Sequence, residues 1–182
     1  SMHSMDNYYA SKLIGLMSDA DLHVVANPTA NMLLMGRQDT YPKRRGMTRV
    51  PELMRAGLNV SLGQDSVMDP WGPLNVADML DVAHMAVHAG HMSGRDQMLS
   101  CFKAVTEFPA RTLGLEGYGL EPGCHADMIV LQAENPIEAI RLRPPRLFVI
   151  RRGKIIARSE PTQPHLDLPN RAASVDSSIR PS

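Results

Sequence analysis

The residue in this sequence best suited to acid–base chemistry is Asp65, which follows the apolar segment 58–62. That segment contains the β-branched Val60 and ends at Gly63, so it is typical of a short strand with a polar tip. Helix-like sequence precedes and follows it, as in the βα units of a parallel sheet. In such folds the chemistry lies beyond the carboxyl ends of the strands. An Asp at this position also serves as a helix cap or in an Asx turn, and this alternative stays open.

Histidines offer a second kind of chemistry. His84 and His88 are four residues apart, so on a helix they share a face, as two zinc-binding histidines do. The HExxH pattern is absent because Met85 follows His84, and a packed or solvated histidine face is the favoured interpretation. His3, which precedes the first predicted helix, is the histidine most suited to a pocket.

The composition excludes several classes of function. The chain has 182 residues, 43% of them hydrophobic, which suffices for one domain or parts of two. Lys plus Arg and Asp plus Glu are each 19, so we expect no nucleic-acid partner and no membrane partner. The run 43–45 is basic but short, which indicates a solvated loop unless a pocket lies beside it. Two cysteines without CxxC spacing favour a reducing compartment, and we predict a cytoplasmic protein.

The elements that must position Asp65 are predicted from the spacing of apolar residues and from capping and turn residues. Asp6 is predicted to cap a helix that runs to about Met17, and 22–26 is a buried type of strand. The long loop 36–46 is of a kind that often carries function. A short helix is predicted from Thr48, and longer helices over 74–89 and 96–113.

The character of the chain changes after residue 115. Glycines and prolines cluster over 117–123, a strand is predicted over 128–131, and a hairpin over 147–157. The tail is rich in proline and serine and poor in large apolar residues. We therefore predict an α/β body over 1–115, a β segment over 116–160 and a mobile tail over 161–182.

Several sequence motifs occur together in this chain. The segments VVANP, TYPKRRG and GQDSVMDPW, followed by ADMIVL and RRGKIIA, resemble the C-terminal part of bacterial cytosine deaminases, which belong to the amidohydrolase superfamily. This resemblance implies the C-terminal part of a metal-dependent TIM (β/α)8 barrel together with the C-terminal strands of a small β-sandwich. It assigns 22–26 and 58–63 to the seventh and eighth barrel strands.

The resemblance also implies roles for individual residues. Asp65 matches the aspartate that binds the metal, Fe2+ or Zn2+, and transfers the proton of the attacking water. Ser66 and Trp71 match positions near the substrate. Ser66 stands where a second acidic residue is usual and Gln64 where His is common, so the preferred ring substituent or tautomer is expected to differ. The remaining metal ligands of the family are expected upstream of residue 1.

The expected activity of the complete enzyme is hydrolytic deamination of cytosine or a related pyrimidine, with release of ammonia. We expect the full-length family member to be a homo-oligomer and the isolated chain to be inactive. One alternative is an amidohydrolase that acts on another nitrogen heterocycle, such as isocytosine, a triazine or a creatinine-like ring. The other is a non-catalytic truncated fragment.

Overall fold

The structure is a computed structural model that describes residues 2–171 and 173. The chain divides between Tyr118 and Gly119 into two compact units. The first unit is mixed α/β, and the second is built around an antiparallel sheet. No helix among the described residues is both long and apolar enough to span a bilayer.

Two short parallel strands form the centre of the first unit. β1, Val24–Ala26, pairs with β2, Val60–Leu62, in the register Val24 to Val60 and Ala26 to Leu62. The Gly63 N–H extends the pairing by donating to the Ala26 carbonyl at 2.9 Å. Both strands therefore end at the same edge, which is the edge that carries Asp65.

Helices surround this strand pair. After a short 3₁₀ turn at Met2–Ser4, the helices are α1 Asn7–Asp19, α2 Pro28–Leu34, α3 Val50–Arg55, α4 Met79–Ala89, α5 Arg95–Lys103 and α6 Glu107–Thr112. The Asp6 carboxylate caps α1, as predicted, by accepting from the N–H groups of Tyr8 and Tyr9. Asp78 caps α4 in the same way, by accepting from the Leu80 N–H at 2.9 Å.

The core of the first unit surrounds β2. All three residues of β2 are buried, and so are Leu53 of α3 and Val82 of α4. Ser61, the polar member, shares a 2.7 Å hydrogen bond with the Thr112 hydroxyl on α6. Because every residue of β2 is packed, the position of its carboxyl end is well fixed.

Two predicted helices differ from the observed ones in their bounds, and one observed helix was not predicted. The helix expected over 74–89 begins only at Met79, because Asp78 supplies the cap. The helix expected over 96–113 is two helices, α5 and α6, interrupted at residues 104–106 before Pro109 enters α6. Residues 28–34, where no helix was predicted, form α2 with Pro28 in its first turn.

The second unit contains a three-stranded antiparallel sheet in the order β3-β4-β5. The strands are β3 Met128–Leu131, β4 Arg146–Arg151 and β5 Lys154–Arg158, which confirms the predicted strand and hairpin. Arg152 and Gly153 make the hairpin turn with φ values of 48° and 75°, a left-handed pair that suits the twist of the strands. One helix, α7 Pro136–Leu142, lies between β3 and β4 and was not predicted.

The three-part division into 1–115, 116–160 and 161–182 stays a prediction. The predicted mobile tail spans 161–182, and of these, residues 172 and 174–182 lie outside the described residues. Within the described part of the tail, the Thr162 N–H donates to Gln132 Oε1 at 2.9 Å and the Gln132 amide donates back to the Thr162 carbonyl.

Candidate active site

Asp65 lies immediately beyond the buried end of β2. Its backbone is left-handed, with φ of 73°, and its side chain is exposed. A left-handed conformation is uncommon for a residue other than glycine, and Asp is one of the few that adopts it readily. The turn therefore directs the chain sharply away from the strand and leaves the carboxylate at the strand edge, as the sequence predicted.

Gln64 anchors the turn that carries Asp65. It is 9% exposed, and its amide Nε2 and backbone carbonyl both lie 3.4 Å from the Thr29 hydroxyl of α2. The hydroxyl donates to the carbonyl and accepts from Nε2, which fixes the amide orientation. Gln64 Oε1 is consequently buried with no hydrogen-bond partner among the described residues. The turn is thus tied to the first turn of α2.

Asp65 lines a cavity of about 440 Å³. The other residues of its wall come from the 3₁₀ turn, from α2 and from the long loop: Ser4, Ala30, Asn31, Leu34, Met35, Gly36 and Arg44. This volume suits a small heterocycle. Sequence reasoning missed Asn31 and Arg44 as cavity residues, although it had allowed that a pocket beside the 43–45 run would change its meaning.

The long loop 36–46 is held in one conformation by an ion pair. The Arg44 guanidinium donates to both Asp39 carboxylate oxygens, at 2.6 and 2.8 Å. This hydrogen-bonded guanidinium lowers the pKa of the Asp39 carboxyl to about 2. At Gly36, where φ is 66°, a Cβ would collide with the Arg44 backbone and with Asp39. The loop can close on itself only because residue 36 is glycine.

Arg49 connects the 3₁₀ turn to the rest of the cavity wall through hydrogen bonds. Its guanidinium donates to the carbonyl of Met2 at 3.2 Å, to the carbonyl of Met5 at 2.6 Å and to Asn7 Oδ1 at 2.8 Å. The side chain is only 13% exposed. A second contact acts on the same turn, because the His3 ring occupies the space where a Cβ on residue 46 would lie. These contacts hold Ser4 in the cavity wall.

Ser66 and Trp71 lie in the segment that follows Asp65. The Ser66 carbonyl accepts from Asn75 Nδ2 at 2.8 Å, and the Trp71 N–H donates to Asp69 Oδ1 at 2.9 Å. The Trp71 side chain is 57% exposed. Among the described residues, the wall of the Asp65 cavity is formed without Ser66 and Trp71. Their assignment to the substrate stays a prediction.

The described residues do not by themselves build a metal centre. Within residues 2–171 and 173, no group of three or more His, Cys, Asp or Glu side chains is close enough to hold an ion. A catalytic site commonly takes about three protein ligands, and Asp65 supplies one carboxylate. The guanidinium of Arg44 in the same wall carries the wrong charge for a cation ligand.

Two further groups with metal-binding or nucleophilic side chains lie outside the wall of this cavity. The rings of His84 and His88 lie 4.5 Å apart on α4, with His88 Nδ1 2.9 Å from the His84 carbonyl. In the core, Cys101 is fully buried beside Met92, and burial raises the pKa of its thiol to about 12. A thiol with that pKa stays protonated near neutral pH and is a poor nucleophile.

Several known proteins are similar to this chain in sequence and in structure. A 5-methylcytosine deaminase from Klebsiella pneumoniae, solved with 5-fluorocytosine, is 42% identical and superposes with a TM-score of 0.86 over 93% of this chain. An N-isopropylammelide isopropylaminohydrolase from Burkholderia multivorans is 29% identical, with a TM-score of 0.72 over 86% of this chain. A pterin deaminase from Rhizobium rhizogenes is 30% identical over 92% of this chain.

These relatives are longer than the chain. The matched region is 41% of the 5-methylcytosine deaminase chain, 37% of the isopropylaminohydrolase chain and 38% of the pterin deaminase. The chain therefore spans about two fifths of the proteins that it matches. The amidohydrolase family model matches residues 2–160, which cover both compact units apart from the tail. On this match the chain belongs to the amidohydrolase family.

Proposed function

We propose that this chain is part of a hydrolytic deaminase whose substrate is 5-methylcytosine or another cytosine with a substituent at C5. The observation that carries the proposal is the 42% identity to a 5-methylcytosine deaminase over 93% of the chain. The cavity beside Asp65 supports it, since about 440 Å³ accommodates a substituted pyrimidine. The chain would then contribute the last two strands of a (β/α)8 barrel and part of a β-sandwich.

In this proposal Asp65 is the proton-transfer group. Its exposed carboxylate at the strand edge would accept a proton from the attacking water and return it to the departing amine. Asp65 would also be one ligand of a divalent ion, Fe2+ or Zn2+. The other ligands would come from residues outside those that the structure describes, because the described residues do not form a complete site.

Ser66 provides the reason for expecting a C5 substituent. It follows Asp65 directly, at the position where cytosine deaminases of this resemblance carry a second acid. A methyl group packed against a carboxylate would remove water from the charge at a cost in free energy. A neutral serine hydroxyl avoids that cost, so position 66 would tolerate an apolar substituent on the ring.

A different nitrogen heterocycle is the second candidate substrate. The relatives include an N-isopropylammelide isopropylaminohydrolase and a pterin deaminase, whose names indicate a triazine and a pterin. All of these rings share a carbon that bears an amine and lies between ring nitrogens or next to one. The family chemistry would therefore be preserved while the pocket residues change.

Three further properties belong to the proposal. The isolated chain would be inactive, because deamination needs ligands and acid–base groups beyond Asp65. The complete enzyme would form a homo-oligomer. It would be cytoplasmic, which agrees with the two unpaired cysteines.

The experiment that tests the proposal measures ammonia release by a full-length protein that contains this chain. We expect turnover of 5-methylcytosine above that of cytosine, and little turnover of pterin or ammelide. Asp65→Asn should lower kcat by about 10²- to 10⁴-fold, the usual size of a general acid–base contribution. Asp19→Asn, which removes an exposed carboxylate at the end of α1, is the matched control and should leave kcat unchanged. Near-native turnover by Asp65→Asn would refute the role assigned to Asp65.

A further inference from the structure

The cavity wall contains an amide whose orientation is fixed. Asn31 Oδ1 accepts a hydrogen bond from the Thr48 backbone N–H at 3.1 Å. An N–H cannot pair with the amide nitrogen in this way, so the oxygen is the atom that faces Thr48. The Nδ2 group is consequently the polar atom that Asn31 can offer to a ligand in the cavity that it lines. Asn31 is therefore a donor at this site.

A second donor in the wall is equally constrained. Arg44 uses Nε and Nη2 to bind Asp39, at 2.6 and 2.8 Å. Its Nη1 has no hydrogen-bond partner among the described residues, and Arg44 lines the same cavity as Asn31. The bidentate pair fixes the plane of the guanidinium, which means that the direction of the Nη1 donors is set before any ligand arrives.

The charge around these donors decides what they can bind. Asp39 is ionised at neutral pH, as an ordinary aspartate is, and its bidentate contact with the guanidinium cancels the charge of Arg44. The wall also contains the Asp65 carboxylate. While no cation is bound to Asp65, an anionic ligand therefore gains little attraction from Arg44 and meets repulsion from Asp65. A neutral acceptor gains the hydrogen bonds without that repulsion.

We propose that Asn31 and Arg44 determine specificity by donating hydrogen bonds to a neutral acceptor, a carbonyl oxygen or ring nitrogen, of a heterocyclic ligand. Asp39 excludes anionic rings by neutralising Arg44. The inference rests on the proposed function in that the ligand is a nitrogen heterocycle. It assigns recognition of the neutral acceptor to residues of the 36–46 loop and of α2, whereas Ser66 is assigned to the C5 substituent.

The test measures binding to a metal-free full-length protein that contains this chain, in which no turnover takes place. The probes are 5-methylcytosine, which is neutral, and cytosine-5-carboxylate, which carries a negative charge on a ring of similar size. Titration followed by ¹H–¹⁵N NMR gives both dissociation constants. We expect the parent chain to bind the neutral ring at least fivefold more tightly than the anionic ring, with shifts at Asn31 Nδ2 and Arg44.

Three variants separate the contributions, and a fourth, at Lys43, is their control. Asn31→Asp keeps the acceptor for Thr48 but loses the donor, and Arg44→Met loses the guanidinium. Each should weaken binding of 5-methylcytosine about tenfold, the effect expected from one lost hydrogen bond to a fixed donor. Lys43→Met removes a positive charge from the same loop outside the cavity wall, and it should change neither constant by more than about twofold.

The third variant, Asp39→Asn, gives the sharpest outcome. It preserves an acceptor for Arg44 but removes the neutralising charge, so binding of cytosine-5-carboxylate should improve about tenfold while binding of 5-methylcytosine changes little. The inference would be overturned if Asp39→Asn bound cytosine-5-carboxylate no more tightly than the parent does. It would also be overturned if Asn31→Asp and Arg44→Met both bound 5-methylcytosine as tightly as the parent does. A parent chain that binds neither ring would overturn it as well. Because no turnover is measured, a full-length protein that fails to deaminate 5-methylcytosine refutes the proposed function and leaves this result standing.

Discussion

Single residues decide the chemistry of the strand edge, and Ser66 is the one that should be easiest to change. In a full-length protein, Ser66→Asp places a carboxylate beside Asp65, where the resemblance expects an acid in cytosine deaminases. We expect kcat/KM for 5-methylcytosine to fall at least tenfold relative to that for cytosine, because the methyl group would desolvate the new charge. Metal content should stay constant, since position 66 is assigned to the substrate.

Steady-state kinetics on both substrates, with metal analysis, checks this expectation. Ser66→Ala is the control, because it keeps the position neutral and should preserve the order of the two substrates. An unchanged substrate ratio in Ser66→Asp would place the determinant of C5 tolerance elsewhere.

In the second unit, Glu138 is the residue whose charge matters for stability. It is 4% exposed, and Arg141 of the same helix, α7, donates to both of its carboxylate oxygens. These hydrogen bonds lower the pKa of Glu138 below its ordinary value of 4.5. The contribution to stability is therefore complete above pH 4.5 and is lost as the pH falls through the lower folded value.

We expect Glu138→Gln to lower the free energy of unfolding by about 1–2 kcal/mol at pH 7, a typical loss for a hydrogen bond to a charged group. Urea titrations of parent and variant at several pH values test this. The difference between them should shrink as the pH falls below 4.5. A difference that is constant from pH 7 to pH 3 would contradict the charge-based explanation.

Among the structural elements, the 3₁₀ turn depends most on one distant side chain. Arg49 precedes α3, yet its guanidinium bonds two carbonyls of the turn region and Asn7. Arg49→Met should therefore free this region while α4 and β2 stay ordered. We expect hydrogen exchange at residues 5–10 to accelerate at least tenfold, which corresponds to about 1.4 kcal/mol.

Arg55→Met is the matched control for this exchange experiment. Arg55 lies at the end of α3 and its Nε donates only within the helix, to the Pro51 carbonyl at 3.1 Å. It should leave exchange at residues 5–10 unchanged. Uniform acceleration across the first unit in Arg49→Met would mean that Arg49 stabilises the unit generally and does not act on the turn in particular.

The elements themselves were largely predictable, because local signals specify them. The Asp6 cap, the strand before Asp65 and the hairpin around Gly153 each carry a cap, an alternation or a turn residue in the sequence. The helix over 28–34 was missed because Asn27 and Pro28 are equally typical of a turn, and Pro28 proved to be in the first turn of α2. The break between α5 and α6 was missed although the sequence carries a signal for it, because Pro109 is tolerated only in the first turn of a helix and so marks the start of α6.

The residues of the cavity wall were harder to predict from the sequence. Asp65 was found because a carboxylate after a strand is a local pattern. Arg44 and Asn31 reach the same cavity through contacts that span the loop, such as the bond between Asn31 and Thr48 across 17 positions. No periodicity encodes such pairs. The substrate assignments of Ser66 and Trp71 depended on resemblance, and they remain to be tested.

The chain as a whole exposes many large apolar side chains. Large side chains of the first unit that are about half exposed or more include Leu16, Leu22, Val25 and Leu33. In the second unit, β5 is an edge strand with every residue exposed, including Ile155 and Ile156. Open edges and apolar patches favour association.

We therefore expect the isolated chain to self-associate at micromolar concentration. Light scattering after size exclusion should give a mass above the 20.0 kDa of one chain, rising with concentration. Ile156→Lys, which adds a charge to the edge strand, should reduce that mass, whereas Lys154→Arg should not. A monomer at all concentrations, with sharply cooperative unfolding, would contradict this expectation.

The fit between His3 and Gly46 limits how amidohydrolases of this kind could exchange segments by recombination. The ring of His3 fills the space that a side chain at residue 46 would need, so the two positions form a matched pair separated by more than forty residues. A chimera with a crossover between them would inherit one partner from each parent. A parent without glycine at 46 would then displace the histidine turn, while a crossover after residue 49 would transfer the turn, the loop and the Arg49 bonds together. Viable hybrids should accordingly have their junctions outside the segment 2–49, which should be inherited as a single block.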